Sequence, residues 1–172
     1  MENSRQLEEN PYLPAAEPSL LPRFAPGTRE SPLTNKIREF RKQKNWSLKE
    51  LSKLSGVPVN AVWRMERGYG ASLTNAFKIA EAFQLTVYDV WCIPLGETHQ
   101  PTKARIESGV STVRELRLKR GWLLRDLSRL SGVSKTTLAR IEDGHSPSLQ
   151  NAAQIAAALG VSLYQIWVHS TM

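Results

Sequence analysis

The chain has 172 residues, 23 Lys and Arg against 16 Asp and Glu, a formal net charge of +7 and 41% hydrophobic residues. That is apolar material for one or two small packed domains, and the basic excess points to a polyanionic partner, most often nucleic acid. The lone Cys92 excludes an intrachain disulfide and a cysteine metal cluster, His99, His145 and His169 lack ligand spacing, and no apolar run approaches the roughly 20 residues of a membrane span.

Residues 1–30 carry Pro11, Pro14, Pro18, Pro22 and Pro26 and are net acidic. Proline at that spacing removes backbone donors, so the segment reads as an extended or disordered tail. Its start lacks a secretory pattern, and the expected compartment is cytoplasmic. Tyr12, Leu13, Leu20, Leu21 and Phe24 are apolar beads on it, which suit either a passive tail or a docking segment.

Ser31-Pro32 is a helix-start signal, with Leu33, Ile37 and Phe40 at helical spacing and a first helix expected to about Lys44. Asn45 closes it. Ser47 and Glu50 form an S-x-x-E capping box for a second helix, with Leu48, Leu51 and Leu54 expected inward. Gly56 permits a tight turn, Val57 plugs the core, and a third helix runs from Pro58 or Val59 to Glu66 with Val62 and Met65 inward. Gly68 and Gly70 break it. Ser72 caps a fourth helix with a wide apolar stripe (Leu73, Ala76, Phe77, Ile79, Ala80, Phe83), and Thr86 caps a short fifth carrying Val87, Val90 and Trp91. Pro94 and Gly96 end this unit. Residues 96–109 read as a linker with a helical stretch.

The plan then restarts. A shift of 76 residues aligns Ile37 with Val113 and Trp91 with Trp167 without a gap, and roughly two in five positions are identical, a tandem duplication. The domains expected are 31–95 and 110–172. Ten Lys and Arg against five acidic residues in 33–95, and eight against four in 110–169, put the positive charge on the repeats.

Three stretches recur in both repeats: R-x(4)-W-x-L-x-x-L-S-x-L-S-G-V, R-x-E-x-G and S-L-x-N-A-x-x-I-A-x-A. Each repeat thereby resembles the phage-repressor or XRE-type helix-turn-helix domain. The resemblance implies an all-α fold of two five-helix domains, double-stranded DNA as partner, and structural ion pairs Arg41–Glu66 and Arg117–Glu142. It also implies a recognition helix whose N-terminal outward face meets base edges. In repeat two that face is Ser134, Lys135, Thr136, Ala139 and Arg140, chemistry suited to guanine and to thymine methyls. In repeat one it is Pro58, Val59, Asn60, Trp63, Arg64 and Arg67. The base contacts expected are therefore Asn60, Trp63, Arg64, Lys135, Thr136, Ala139 and Arg140. Phosphate contacts are expected from Ser47, Lys49, Arg67, Tyr69, Ser72 and Asn75, and from Arg125, His145, Ser146, Ser148 and Asn151. Leu48 and Leu124 stand where the family often has glutamine, and Leu123 replaces the cap serine of repeat two.

Val59 and Trp63 form an apolar patch on a face that should be polar, a composition that also fits a protein contact. The alternative function is therefore a protein-interaction regulator of antirepressor or antitoxin-like type, gripping its partner at repeat one or at the tail. Trp91 and Trp167 occupy equivalent places on the fifth helices. They read as core or, with Ile93, Leu95 and Val168, as an interface that makes the chain a homodimer or an intrachain pseudo-dimer. No cofactor or metal is expected. No catalytic set appears, so the reading is of a DNA-binding regulator, such as a repressor, from a bacterium, phage or mobile element.

Overall fold

The structure, a computed structural model, describes residues 33–93 and 112–167. The tail, the Ser31-Pro32 start signal, the 96–109 linker, Leu95 and Val168 lie outside the described residues.

Among the described residues every regular element is helical. Repeat one comprises α1 (Ile37–Gln43), α2 (Leu48–Ser55), α3 (Val59–Glu66), α4 (Leu73–Phe83) and α5 (Val87–Val90). Repeat two comprises α6 (Val113–Lys119), α7 (Leu124–Ser131), α8 (Lys135–Glu142), α9 (Leu149–Ala158) and α10 (Leu163–Ile166). The boundaries follow from local chemistry. The Ser47 hydroxyl accepts the Glu50 N–H and the Glu50 carboxylate accepts the Ser47 N–H, capping α2. Gly56 and Gly132 close α2 and α7 at φ 65° and 73°, where a side chain would be strained. Ser72 and Ser148 cap α4 and α9 through the Asn75 and Asn151 N–H groups. Within each repeat the helices enclose a core centred on Leu51, Val62 and Ile79, or on Leu127, Leu138 and Ile155, all fully buried. Each such side chain contributes about 1.5–3 kcal/mol of burial.

Two expectations about local structure are corrected. First, α1 begins at Ile37, not at Ser31-Pro32. Residues 34–36 lie alongside the end of α5: Cys92 N–H donates to Thr34 O, Lys36 N–H to Val90 O, and Asn35 and Trp91 form an antiparallel bridge. A segment whose donors and acceptors are spent there has no helix to join, although Leu33 is buried all the same. Second, Leu54 is 57% exposed. Steps of three residues slip back about 60° each on a 3.6-residue helix, so Leu48, Leu51 and Leu54 cannot share one face. The inward position one turn after Leu51 is Ser55, whose hydroxyl donates to Leu51 O and accepts the Val57 N–H.

The repeats meet along a seam of reciprocal contacts. Ser72 and Ser148 form an antiparallel bridge, flanked by Leu73 N–H donating to Pro147 O (3.0 Å) and Leu149 N–H donating to Ala71 O (2.9 Å). Beyond it, Val87 N–H donates to the Tyr164 hydroxyl (2.9 Å) and Leu163 N–H to the Tyr88 hydroxyl (2.8 Å), with the two rings 6.1 Å apart. Phe77 meets Tyr164 edge-on at 5.2 Å. These contacts run through the N-termini of α4, α5, α9 and α10. Of the tryptophans expected as core or interface, Trp91 is buried, with its backbone bridged to Asn35, and Trp167 is half-buried at the end of α10.

Candidate nucleic-acid interface

A reading helix must be held rigidly before its face can discriminate anything. In repeat one the Arg41 Nε and Nη2 donate to the two Glu66 carboxylate oxygens at 2.6 and 3.1 Å, while Nη1 donates to Trp46 O at 2.8 Å. One guanidinium therefore ties α1, the turn before α2 and the end of α3. Arg117 repeats the arrangement with Glu142 (2.7 and 2.8 Å) and Trp122 O (2.9 Å). The hydrogen bonds to these glutamates hold both guanidinium groups above their usual pKa, so both arginines stay charged. Because the arginines are largely buried, the pairs serve orientation more than net stability. At the other end, Ser52 and Ser128 hydroxyls donate to Val57 and Val133 carbonyls and fasten the turn before each recognition helix.

With Val62 and Met65, or Leu138 and Ile141, turned inward, the opposite face is turned outward. In α8, Lys135, Thr136 and Arg140 are exposed and Ala139 is half-buried between them. Lys135 and Arg140 have no ion-pair or side-chain hydrogen-bond partner among the described residues. Ser134 is engaged as the cap of α8, accepting the Thr137 N–H and lying 2.8 Å from its hydroxyl. In α3, Asn60, Trp63 and Arg64 are exposed. Trp63 is 42% exposed and Val59 37%. Neither arginine beside them is idle: Arg67 lies over the Trp63 ring at 4.3 Å and Arg64 over Tyr69 at 5.3 Å. No residue pattern announces this stacking, which narrows the apolar patch by laying a cation on it.

The residues expected at phosphates separate into two sets. Lys49, Arg67, Arg125 and His145 are exposed, and Tyr69 is half-buried. The His145 ring nitrogen Nδ1 lies 3.0 Å from Arg140 O. Ser47, Ser72 and Ser148 are exposed but accept N–H groups of their own helices, and Asn75 and Asn151 stand half-buried in those first turns. Ser72 and Ser148 also form the seam, and Ser146 lies 3.1 Å from the Thr74 hydroxyl across it. Leu123, 52% exposed, offers no cap oxygen, and only the Asp126 carboxylate, accepting the Leu123 N–H at 2.8 Å, remains of the capping box. Sequence reasoning missed Tyr88 and Tyr164. The available signal was an identical tyrosine at matching places in both repeats, beside the fifth-helix start.

Among the described residues no group of three His, Cys, Asp or Glu is placed to hold a metal, and no helix is long and apolar enough to cross a membrane. Comparison with known proteins gives a match to the helix-turn-helix family model at residues 37–90 and again at 113–166. Searches against curated proteins and solved structures found no match. The two matched segments cover well over half of the chain and coincide with the two bundles built around Arg41–Glu66 and Arg117–Glu142. Domains of this kind bind DNA in transcription regulation, and the chain belongs to the XRE-type helix-turn-helix family, with two of its domains in tandem.

Proposed function

We propose that the protein is a sequence-specific DNA-binding transcriptional regulator, of bacterial, phage or mobile-element origin, that reads bases with two inequivalent recognition helices. The observation that carries this is the outer face of α8. Lys135 and Arg140 are exposed and unpartnered among the described residues, flanking Thr136 and Ala139, on a helix oriented by a buried bidentate ion pair. A guanidinium presented this way can donate to guanine O6 and N7, and Thr136 or Ala139 can touch a thymine methyl. In α3 the equivalents are Val59, Asn60, Trp63 and Arg64, so the same scaffold presents a different set. Random-library site selection with the full chain tests the proposal. Arg140→Ala should weaken binding to the selected site by about 1–3 kcal/mol and relax sequence preference at one position. An unchanged footprint with both Arg140→Ala and Lys135→Ala would remove α8 from the reading role.

The exposed Val59 and Trp63 favour a second reading, in which repeat one grips a protein. It gains if Trp63→Ala keeps DNA affinity and abolishes regulation. It loses if the substitution weakens the DNA complex itself.

A further inference from the structure

We infer that a single chain occupies a whole operator, and that this operator consists of two inverted half-sites of unlike sequence centred one turn of DNA apart. The inference rests on the DNA-binding reading above and adds the partner's architecture. It follows from the symmetry of the seam. Among the described residues, every polar backbone contact across it has a counterpart 76 residues away: Leu73 to Pro147 and Leu149 to Ala71, Val87 to Tyr164 and Leu163 to Tyr88, Ser72 with Ser148. Contacts in which residue i meets j and the copy of j meets the copy of i define a two-fold, isologous interface. A head-to-tail arrangement, which would present the recognition helices to a direct repeat, cannot produce that reciprocity. The chain is thus a dimer of domains closed by its own covalent link.

Spacing follows from chain length. The ends of α3 and α8, Glu66 and Glu142, are each six residues from the serine that meets its counterpart in the seam. Six residues reach at most about 21 Å, so the two helix ends lie within roughly 50 Å of each other. The base-contacting residues extend up to about 10 Å further along each helix, and the bound accommodates half-sites about 34–36 Å apart.

The unlikeness of the half-sites follows from the faces. Across the two-fold, Val59 answers Lys135, Asn60 answers Thr136, Trp63 answers Ala139 and Arg67 answers Asp143. Only Arg64 and Arg140 match. A symmetric backbone therefore carries an asymmetric reader. Each half-site keeps one arginine contact and differs around it, and a perfect palindrome always mismatches one of the two helices.

The test is site selection followed by stoichiometry, using the full chain and the selected duplex. The expected result is two unlike blocks in inverted orientation, bound by one chain as read by native mass spectrometry or sedimentation. Converting either block into an inverted copy of the other should lower affinity at least tenfold, and inserting half a turn between blocks should do the same. Arg64→Ala and Arg140→Ala should each relax preference in a different block. A palindrome bound by two chains, a direct repeat, or one isolated block would overturn the inference while leaving DNA binding intact. A selection that enriches no sequence would instead overturn the sequence-specific reading on which it rests.

Discussion

The two repeats differ most where they are least constrained by each other. Under the turn that leads into α2, repeat one packs rings: Trp46 stacks on Phe83 at 5.7 Å, and Phe40 lies 5.8 Å from the same ring. Repeat two has Leu116, Trp122 and Leu159 in those places. Its Trp122 is buried, the indole Nε1–H has no partner among the described residues, and a groove of about 630 Å³ opens beside it between Arg120 and Gly160. Arg120 lies over the Trp122 ring at 5.6 Å and donates to the Leu116 and Leu159 carbonyls. The arginine–glutamate pair, the serine-fastened turn and the tyrosine contacts, by contrast, are the same in both. What orients a recognition helix and what joins the halves is held constant. What fills the far end of the core, and what faces outward from α3 and α8, varies.

Removing the part that the repeats share should cost the most. Glu142→Ala leaves the largely buried Arg117 without its carboxylate, at a cost of about 3–5 kcal/mol. A domain of this size holds little more than that in reserve. Glu66→Ala does the same to Arg41, but over the ring-packed core. Calorimetry of the full chain should show the larger loss of melting temperature for Glu142→Ala. Equal losses would mean that the looser packing around Trp122 does not weaken repeat two.

A smaller effect is expected at the seam. Tyr88→Phe and Tyr164→Phe each leave one helix-start N–H, of Leu163 or Val87, without its acceptor, at about 1–3 kcal/mol apiece. Burial raises both phenol pKa values, against the opposing effect of the N–H bonds they accept. A group whose folded pKa is raised holds its proton more tightly in the folded state. Its contribution is therefore intact below the unfolded value of about 10 and is lost as pH rises through the folded one. The seam should loosen in alkali, and the double phenylalanine variant should lose this part of the alkaline destabilisation. An unchanged alkaline profile would show that these hydroxyls do not link the seam to pH. Unequal single losses would trace to Phe77, which braces Tyr164 where repeat two has only Ala153 on the symmetric side.

Much of this was legible from residue types. The 76-residue shift, the serine caps at Ser47 and Ser72, the glycine turns and the inward pairs Val62–Met65 and Leu138–Ile141 are statements that local sequence makes by itself. What escaped depends on backbone groups meeting from a distance. The late start of α1 is set by Val90 O and Cys92 N–H, and no side-chain pattern announces a carbonyl. The seam is a backbone bridge closed by tyrosine hydroxyls, and a tyrosine on a short helix reads equally well as core or as handle. Leu54 escaped because spacing by three imitates a helical face over two turns but drifts off it. The outward faces were legible as chemistry, but the stacking of Arg67 on Trp63 is a pairing that sequence leaves open.

The smallest predicted effect isolates one difference between the repeats from the rest. Ser47 and Glu50 exchange two hydrogen bonds at the start of α2, whereas at α7 the leucine supplies no oxygen and the Asp126 N–H turns back to Leu123 O at 3.0 Å. Leu123→Ser should restore the missing acceptor and stabilise repeat two by about 1 kcal/mol, while Ser47→Ala should cost repeat one a similar amount. Denaturant midpoints of the two variants measure both. The site favours a clean result, because Leu123 is half exposed and its removal opens no cavity in the core. If Leu123→Ser instead destabilises the free protein, the leucine contributes packing that outweighs the cap. If it stabilises the free protein but weakens DNA binding, the apolar side chain is part of the contact surface. The departure at Leu123 would then belong with Val59 and Trp63, among the residues that give each repeat its own partner surface.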